Sequence, residues 1–334
     1  MRWLNELFRS ERGATSVFVG LLMVPLIGFV AISLDVGALY AERAQLQNGA
    51  DAAALSIAQD CAAGGTCTVA SSAVLAKSYA QANANDGSAN VLTPVFGTTP
   101  LGARTVEVTS STLDAGGAVA MEHPFAALLG ATATTVHAKA TAEWGPPREG
   151  PIVLPLAISL CEFRPALDGT LQLIRYDIHL VTCPGRDGHP IPGGFGWLER
   201  AAGCSAYIDA DLMVPSDPGN DYPNSPACDL VMASLAGKTI LIPIFDDADT
   251  NAGGAVASYH VYGFAAFTVV DWKFAGGNNM PRVSAGAGSG GPRLKCTGSC
   301  RGIKGYFTHW VPPEDVFTEL GGPNLGAVIA RLIK

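Results

Sequence analysis

Eight cysteines carry the clearest chemical potential in this chain: Cys61, Cys67, Cys161, Cys183, Cys204, Cys228, Cys296 and Cys300. The number is even. In a chain carried out of the reducing cytoplasm such residues read as disulfides. Roughly a hundred pairings are possible for eight cysteines, and proximity alone favours the sequential set 61–67, 161–183, 204–228 and 296–300. A zinc site needs tight C-x-x-C pairs, whereas the close spacings here are C-x5-C and C-x3-C. A nucleophilic thiol is disfavoured for the same reason, because an exported cysteine is oxidised or paired.

The other candidates are weaker. Asp246, Asp247, Asp249 and Asn251 place oxygen atoms at alternate positions, as a calcium loop begins. An EF-hand needs Gly at the sixth place and Glu at the twelfth; counting from Asp247, Ala252 and Ser258 stand there. A looser calcium site and a solvated acidic turn between strands remain, with the turn as the default. Asp209 with Asp211 is a fainter version of the same pattern. The histidines (123, 137, 179, 189, 260 and 309) form no H-x-x-x-H or H-x-x-x-x-H pair, and His309 beside Trp310 reads as strand surface. There is no G-x-S-x-G elbow and no Gly-Lys-Ser/Thr phosphate loop. The expectation is therefore no catalytic constellation, no metal and no cofactor.

Composition narrows the class. Of 334 residues, 15% are charged, and Gly (39) and Pro (22) are abundant, so short elements joined by many turns are expected. The mean hydropathy is +0.26, high for a cytosolic enzyme. A net charge of −8 with no cluster of Lys and Arg excludes a nucleic-acid partner, since phosphate binding needs concentrated positive charge.

The elements that must carry these residues begin with an anchor. From Gly13 to Leu34 no residue is charged. At about 1.5 Å per residue such a run spans about 33 Å, enough to cross a bilayer. Pro25 would break a soluble helix but is tolerated as a kink in a membrane span. A buried core helix is the bland alternative. A cleaved signal peptide is the closer one, although its apolar region is shorter and ends in a small-x-small site. Arg2, Arg9 and Arg12 precede the span; Asp35 and Glu42 follow before Arg43. The positive-inside rule then keeps residues 1–12 in the cytoplasm and exports everything after about Tyr40. The expected location is the cell membrane, single-pass, with the C-terminal bulk extracytoplasmic.

Beyond the span, Leu39, Leu46, Ala50, Ala53 and Ile57 recur on one helical face, while Arg43, Gln47 and Asp51 lie four apart on another. The span therefore runs on into an amphipathic, Ala-rich helix that packs on something outside. Arg12-Gly13, the mid-span Pro25, Asp35 with Gly37, and the block Leu46, Gln47, Ala50, Asp51 through Leu55 resemble the N-terminal region of the TadE/TadG-like proteins of the Flp (tight-adherence) pilus system, nearest the TadG-type branch. The resemblance covers about 45 residues. It implies a pilin-like or pilus-accessory role at the envelope, with partners that are other pilus-assembly or pilin-like proteins met through this helix. Type IV prepilins are cut after a Gly, and the fifth mature residue is Glu. If Gly13 were that Gly, the fifth residue is Phe18, so an anchored accessory protein fits better than a bulk fibre subunit.

The exported part reads as α+β: a pilin-like α+β module over 41–144, a Pro/Gly-rich link at 145–151, and a mostly β domain over 152–334. Residues 69–84 read as a second Ala-rich helix, and 124–129 as a short one. Strands are expected at 105–112, 134–144, 152–160, 171–181, 238–245, 257–274 and 305–311, from β-branched and aromatic runs bounded by turns. In 171–181 the face with Gln172, Ile174, Tyr176, Ile178 and Leu180 is the expected core side. Residues 275–291 form a Gly-rich loop, and the last residues (NLGAVIARLIK) a short amphipathic helix. Three functions are compatible: a non-enzymatic, membrane-anchored pilus-assembly component, a membrane-tethered adhesin or lectin-like binding module unrelated to a pilus, and an exported hydrolase.

Overall fold

The structure is a computed structural model describing residues 12–114, 116–130, 132–163, 169–175, 183–186, 188–191, 193–201, 203–217, 225–250, 256–274, 296, 300–309 and 319–333. The expectations for residues 1–11, for 176–181 (His179 included), for Asn251, for the Gly-rich stretch 275–291 and for Trp310 lie outside the described residues.

Helix α1 (Arg12–Ala62) is a single element that carries the uncharged run and the Ala-rich motif without interruption, Pro25 included. It stops where two glycines allow the chain to turn: Gly64, at φ +83°, donates its N–H to the Cys61 carbonyl, and Gly65 donates to Asp60. The Cys61–Cys67 disulfide closes this turn, with the two Cα atoms 5.2 Å apart. Helix α2 (Val69–Asn83) then starts with a reciprocal cap, in which the Ser71 N–H donates to Thr68 Oγ1 (3.2 Å) and the Thr68 N–H to Ser71 Oγ (3.3 Å).

Next come β1 (Ala89–Val91), β2 (Val95–Thr98) and β3 (Arg104–Thr112), then β4 (Met121–Glu122), a one-turn 3-10 helix (Ala126–Leu129), β5 (Ala133–Thr134) and β6 (His137–Gly145). β3 pairs antiparallel with β6, and β1 and β2 pair with opposite ends of β3. The alternation in β3 and β6 puts Val106, Val108, Ala140 and Ala142 on one face, where they pack against Ala50, Ala53, Ala54 and Ile57 of α1 and Ala76 of α2. Alanine makes this layer thin, so α1 lies close on the sheet, and the larger Leu46 and Ile57 contribute about 1.5–3 kcal/mol each by burial.

The remaining strands are β7 (Pro147–Ile152), β8 (Leu156–Ser159), β9 (Gln172–Arg175), β10 (Cys183–Pro184), β11 (Pro190–Ile191), β12 (Phe195–Trp197), β13 (Ala206–Asp209), β14 (Met213–Pro215), β15 (Thr239–Thr250), β16 (Val256–Lys273), β17 (Gly302–Thr308), β18 (Glu319–Leu320) and β19 (Ile329–Ile333); helix α3 (Pro226–Leu235) precedes β15. A seven-stranded sheet runs β12-β8-β15-β16-β17-β9, with β14 also on β16, and a three-stranded sheet runs β13-β7-β18. The larger sheet has a core on each face. One holds Ile158, Trp197, Ile242, Phe267 and Phe307, and the other Phe245, Val261, Phe264, Ile208 and Ile329. The overall architecture is α+β: a long N-terminal helix, a small helical part, and a mostly β C-terminal region. Ile174 is buried, on the side of β9 expected to face the core.

Four local expectations change. The last residues are strand, not helix: β19 pairs antiparallel with β6, Ile329 opposite Gly145 through Ile333 opposite Thr141. Val328 and Ala330 pack against the α1 layer while Ile329 enters the other core, and apolar residues on both faces hide a strand's alternation. Residues 145–151 hold β7, not an irregular link. Pro147 is the first residue of its strand, where a missing N–H is tolerated, and the Pro146 carbonyl accepts from Gly321 and Gly322. The acidic stretch 246–250 belongs to β15 and is not a turn. Helix α3 was not expected, although Ser225 as N-cap followed by Pro226 is a helix-start signal.

Candidate functional site

The apolar part of α1 stands free of the rest of the chain. Phe18, Leu21, Val24, Leu26 and Phe29 are each at least 60% exposed. Among the described residues α1 is the one helix long and apolar enough to cross a membrane, and its most apolar stretch is uncovered. A row of exposed Leu, Val, Ile and Phe this long is costly in water and favourable in hydrocarbon. The Ser33 hydroxyl returns its hydrogen bond to the Phe29 carbonyl (2.7 Å), so it too is satisfied without water.

The first acidic residue after the span marks the change of environment. Asp35 is 6% exposed. Its Oδ2 accepts the backbone N–H groups of Phe125 (3.1 Å) and Ala126 (2.5 Å) at the start of the 3-10 helix. Those N–H groups have no partner within the turn, and a carboxylate there complements the positive end of the aligned peptides. His123 steadies the same excursion, with Nε2 2.8 Å from Thr134 Oγ1 across the β4–β5 ribbon.

The motif residues further along α1 face the sheet. Leu46 and Ala50 are buried, and the Leu46 carbonyl accepts from Ser110 Oγ (2.8 Å). Gln47 Nε2 donates to Asp51 Oδ1 (2.8 Å), the four-residue step legible in the sequence, and to the Lys139 carbonyl of β6 (2.9 Å). Gly49 lies against α2: a Cβ built there would sit 3.0 Å from the Ala80 Cα. Gln45 Oε1 accepts the N–H of Asn85 just beyond the end of α2 (2.8 Å). Glu42, the next acid after Asp35, has its carboxyl held above the ordinary value of 4.5 by burial and secondarily by the charge of Asp86, against a lowering hydrogen bond from Thr112. Gly37 is different, since a Cβ there would meet nothing within 4 Å. Pro25 lies within the free part of the helix and Gly13 in its first turn.

All eight cysteines are paired in sequential order: Cys61–Cys67, Cys161–Cys183, Cys204–Cys228 and Cys296–Cys300. The second lies where β10 meets β11, and the third ties the first turn of α3 to the loop before β13.

One polar cluster was not foreseen. A pair of bulges leaves Asp246 of β15 and Tyr262 of β16 without cross-strand partners, and the first turns the Asp246 side chain inward. There Asp246 Oδ1 is 2.5 Å from His260 Nδ1, and Arg186 Nη1 is 2.6 Å from His260 Nε2. A guanidinium only donates, so Nε2 accepts and Nδ1 carries the proton given to Asp246. Arg186 also reaches Asp211 Oδ1 (3.2 Å), a residue held at φ +76°. The arrangement resembles the His–Asp half of a hydrolytic triad, but both ring nitrogens are committed and no lone pair is left for a substrate proton. Residues 186, 211, 246 and 260 are far apart in the chain, so no spacing pattern could have joined them. Among the described residues no group of three or more His, Cys, Asp or Glu side chains is placed to hold a metal ion.

The family described as putative Flp pilus-assembly TadE/G-like matches residues 13–60. That stretch is the length of α1 from just inside its first turn nearly to its end, and it associates the helix with Flp pilus assembly. Neither the curated proteins nor the solved structures contain a match to the chain.

Proposed function

We propose that this chain is a membrane-anchored, non-enzymatic component of a tight-adherence (Flp-type) pilus assembly apparatus at the bacterial envelope. The observation that carries this reading is the division of labour along one helix. Residues 15–34 are uncharged and, apart from the half-buried Ala31, exposed, and 35–60, the later part of the family-matched segment, dock on the chain's own sheet. In this reading residues 1–12 stay in the cytoplasm, 13–40 cross the membrane and the bulk lies outside, where disulfides persist. The exported part comprises the α1–α2 layered module, about 41–144, and the larger β region from 152 onward. Partner pilus-assembly or pilin-like proteins meet the free face of α1, where a Cβ added at Gly37 would meet nothing within 4 Å. The engaged state of His260 supports a structural role for the cluster in the β region.

The test is genetic. Cells lacking this chain should lose surface pili. The full chain should restore them, and a chain whose residues 13–60 are replaced by an unrelated membrane helix of equal length should not. Normal piliation without the chain would refute the proposal.

A further inference from the structure

The bond from Asp35 to Phe125 and Ala126 fixes more than a loop. It sets the height of a second part of the chain relative to the bilayer, given the anchoring proposed above. The uncharged run ends at Leu34 after 22 residues, about 33 Å of helix, against a hydrocarbon thickness of about 30 Å. Asp35 therefore sits at the boundary between acyl chains and headgroups, and Tyr40, 73% exposed and about 7.5 Å farther along the axis, lies in the headgroup layer where aromatic anchors gather. Because Asp35 Oδ2 takes the N–H groups of Phe125 and Ala126, the 3-10 turn is at the same height. Ala31, one turn deeper on the same face as Asp35, is half-buried while Ile27, Gly28 and Phe29 are exposed.

The composition of this excursion fits that height. Between residues 115 and 136 the only charged residue is Glu122. Val119 is 52% and Phe125 41% exposed, two large apolar side chains uncovered on the excursion that Asp35 holds level with the end of the span. We infer that the segment 119–130 is a second membrane contact, resting on the leaflet that α1 leaves at Asp35, with Phe125 and Val119 inserted among the upper acyl carbons. The occupant of this surface is lipid, because the surface is continuous with the membrane-spanning face of α1 and is held level with its end. One helix alone leaves the exported part free to tilt and spin. A second contact fixes its orientation on the membrane and so determines which face of the β region points outward.

The test uses the intact chain in phosphatidylcholine vesicles that contain a lipid with a photoactivatable diazirine on its acyl chain. After irradiation, peptides are mapped by mass spectrometry. Labels are expected on 13–34 and, as a second group, on 119–130. Labels on 13–34 with none on 119–130 would overturn the second contact and leave the anchor standing. Labels on neither would show that the anchor reading had failed and this inference with it. The variant Phe125→Glu, at an exposed position, should lower labelling of 119–130 at least about fivefold while leaving the span's labelling unchanged. An equal yield from this variant would also overturn the inference.

Discussion

Asp35 Oδ2 lies 2.5 Å from the backbone nitrogen of Ala126, ninety-one residues away. A carboxylate on the first turn beyond an apolar span is thus bound to the first turn of a distant 3-10 helix. The first charged residue after the apolar run docks a turn far along the chain onto α1.

Replacing Asp35 with Ala removes both charge-assisted bonds, each worth about 1.5–3 kcal/mol when desolvated. The amides of Phe125 and Ala126 should then exchange hydrogen at least about 10-fold faster in the intact chain, since about 1.4 kcal/mol is a factor of ten. Asp35→Asn, which keeps an acceptor oxygen, should fall between. Unchanged exchange at those two amides in Asp35→Ala would show that the bond does not hold the turn.

The second relationship is between Gly49 and Ala80, whose closeness sets the spacing of α1 and α2. Gly49→Val puts a branched side chain where even a Cβ is 3.0 Å from the Ala80 Cα, and should cost about 1–3 kcal/mol. Gly49→Ala should be nearly neutral, because a few tenths of an ångström of helix movement is offset by about 1 kcal/mol of helix propensity. Urea midpoints of the two variants check this, and equal midpoints would contradict the close approach.

Much of this was legible in the sequence. The uncharged run, the four-residue step from Gln47 to Asp51 and the apolar face from Leu46 to Ile57 are all local, periodic signals, and they gave α1 and its buried side. What escaped was non-local. Asp35 reads as the end of a span, but nothing in the sequence says that its partner is residue 126. β19 reads as a helix because it is apolar on both faces, a consequence of lying between two cores. Asp246 sits in a run of acids that looks like a turn, and only a bulge in a long strand pair brings it to His260.

Glu42 gives a pH dependence with a definite sign. Its carboxyl titrates above 4.5 in the folded chain, first through burial and then through Asp86. The folded state therefore holds a proton that the unfolded chain has released. The contribution is fully present below about 4.5 and is lost as pH rises through the raised folded value. Glu42→Gln stays neutral and should lose less stability than the unaltered chain between about pH 4 and pH 7. The reading is the difference in urea midpoint between the two proteins at each pH, and a difference independent of pH would contradict the assignment.

His260→Ala leaves the Asp246 carboxylate buried without its ring partner. Losing the hydrogen bond to a buried charged group costs about 1.5–3 kcal/mol, so the β region should unfold at lower denaturant. A loss below about 1 kcal/mol would mean that the cluster is not structural, and would return attention to a catalytic use of the Asp–His pair.

The most direct measurement of the central claim is affinity isolation of the intact chain from solubilised bacterial membranes, followed by identification of what accompanies it. Pilus-assembly proteins should be enriched with the full chain, and the enrichment should fall to background when residues 13–60 are replaced by an unrelated membrane helix. Equal recovery with both chains, or no pilus-assembly protein with either, would contradict that claim.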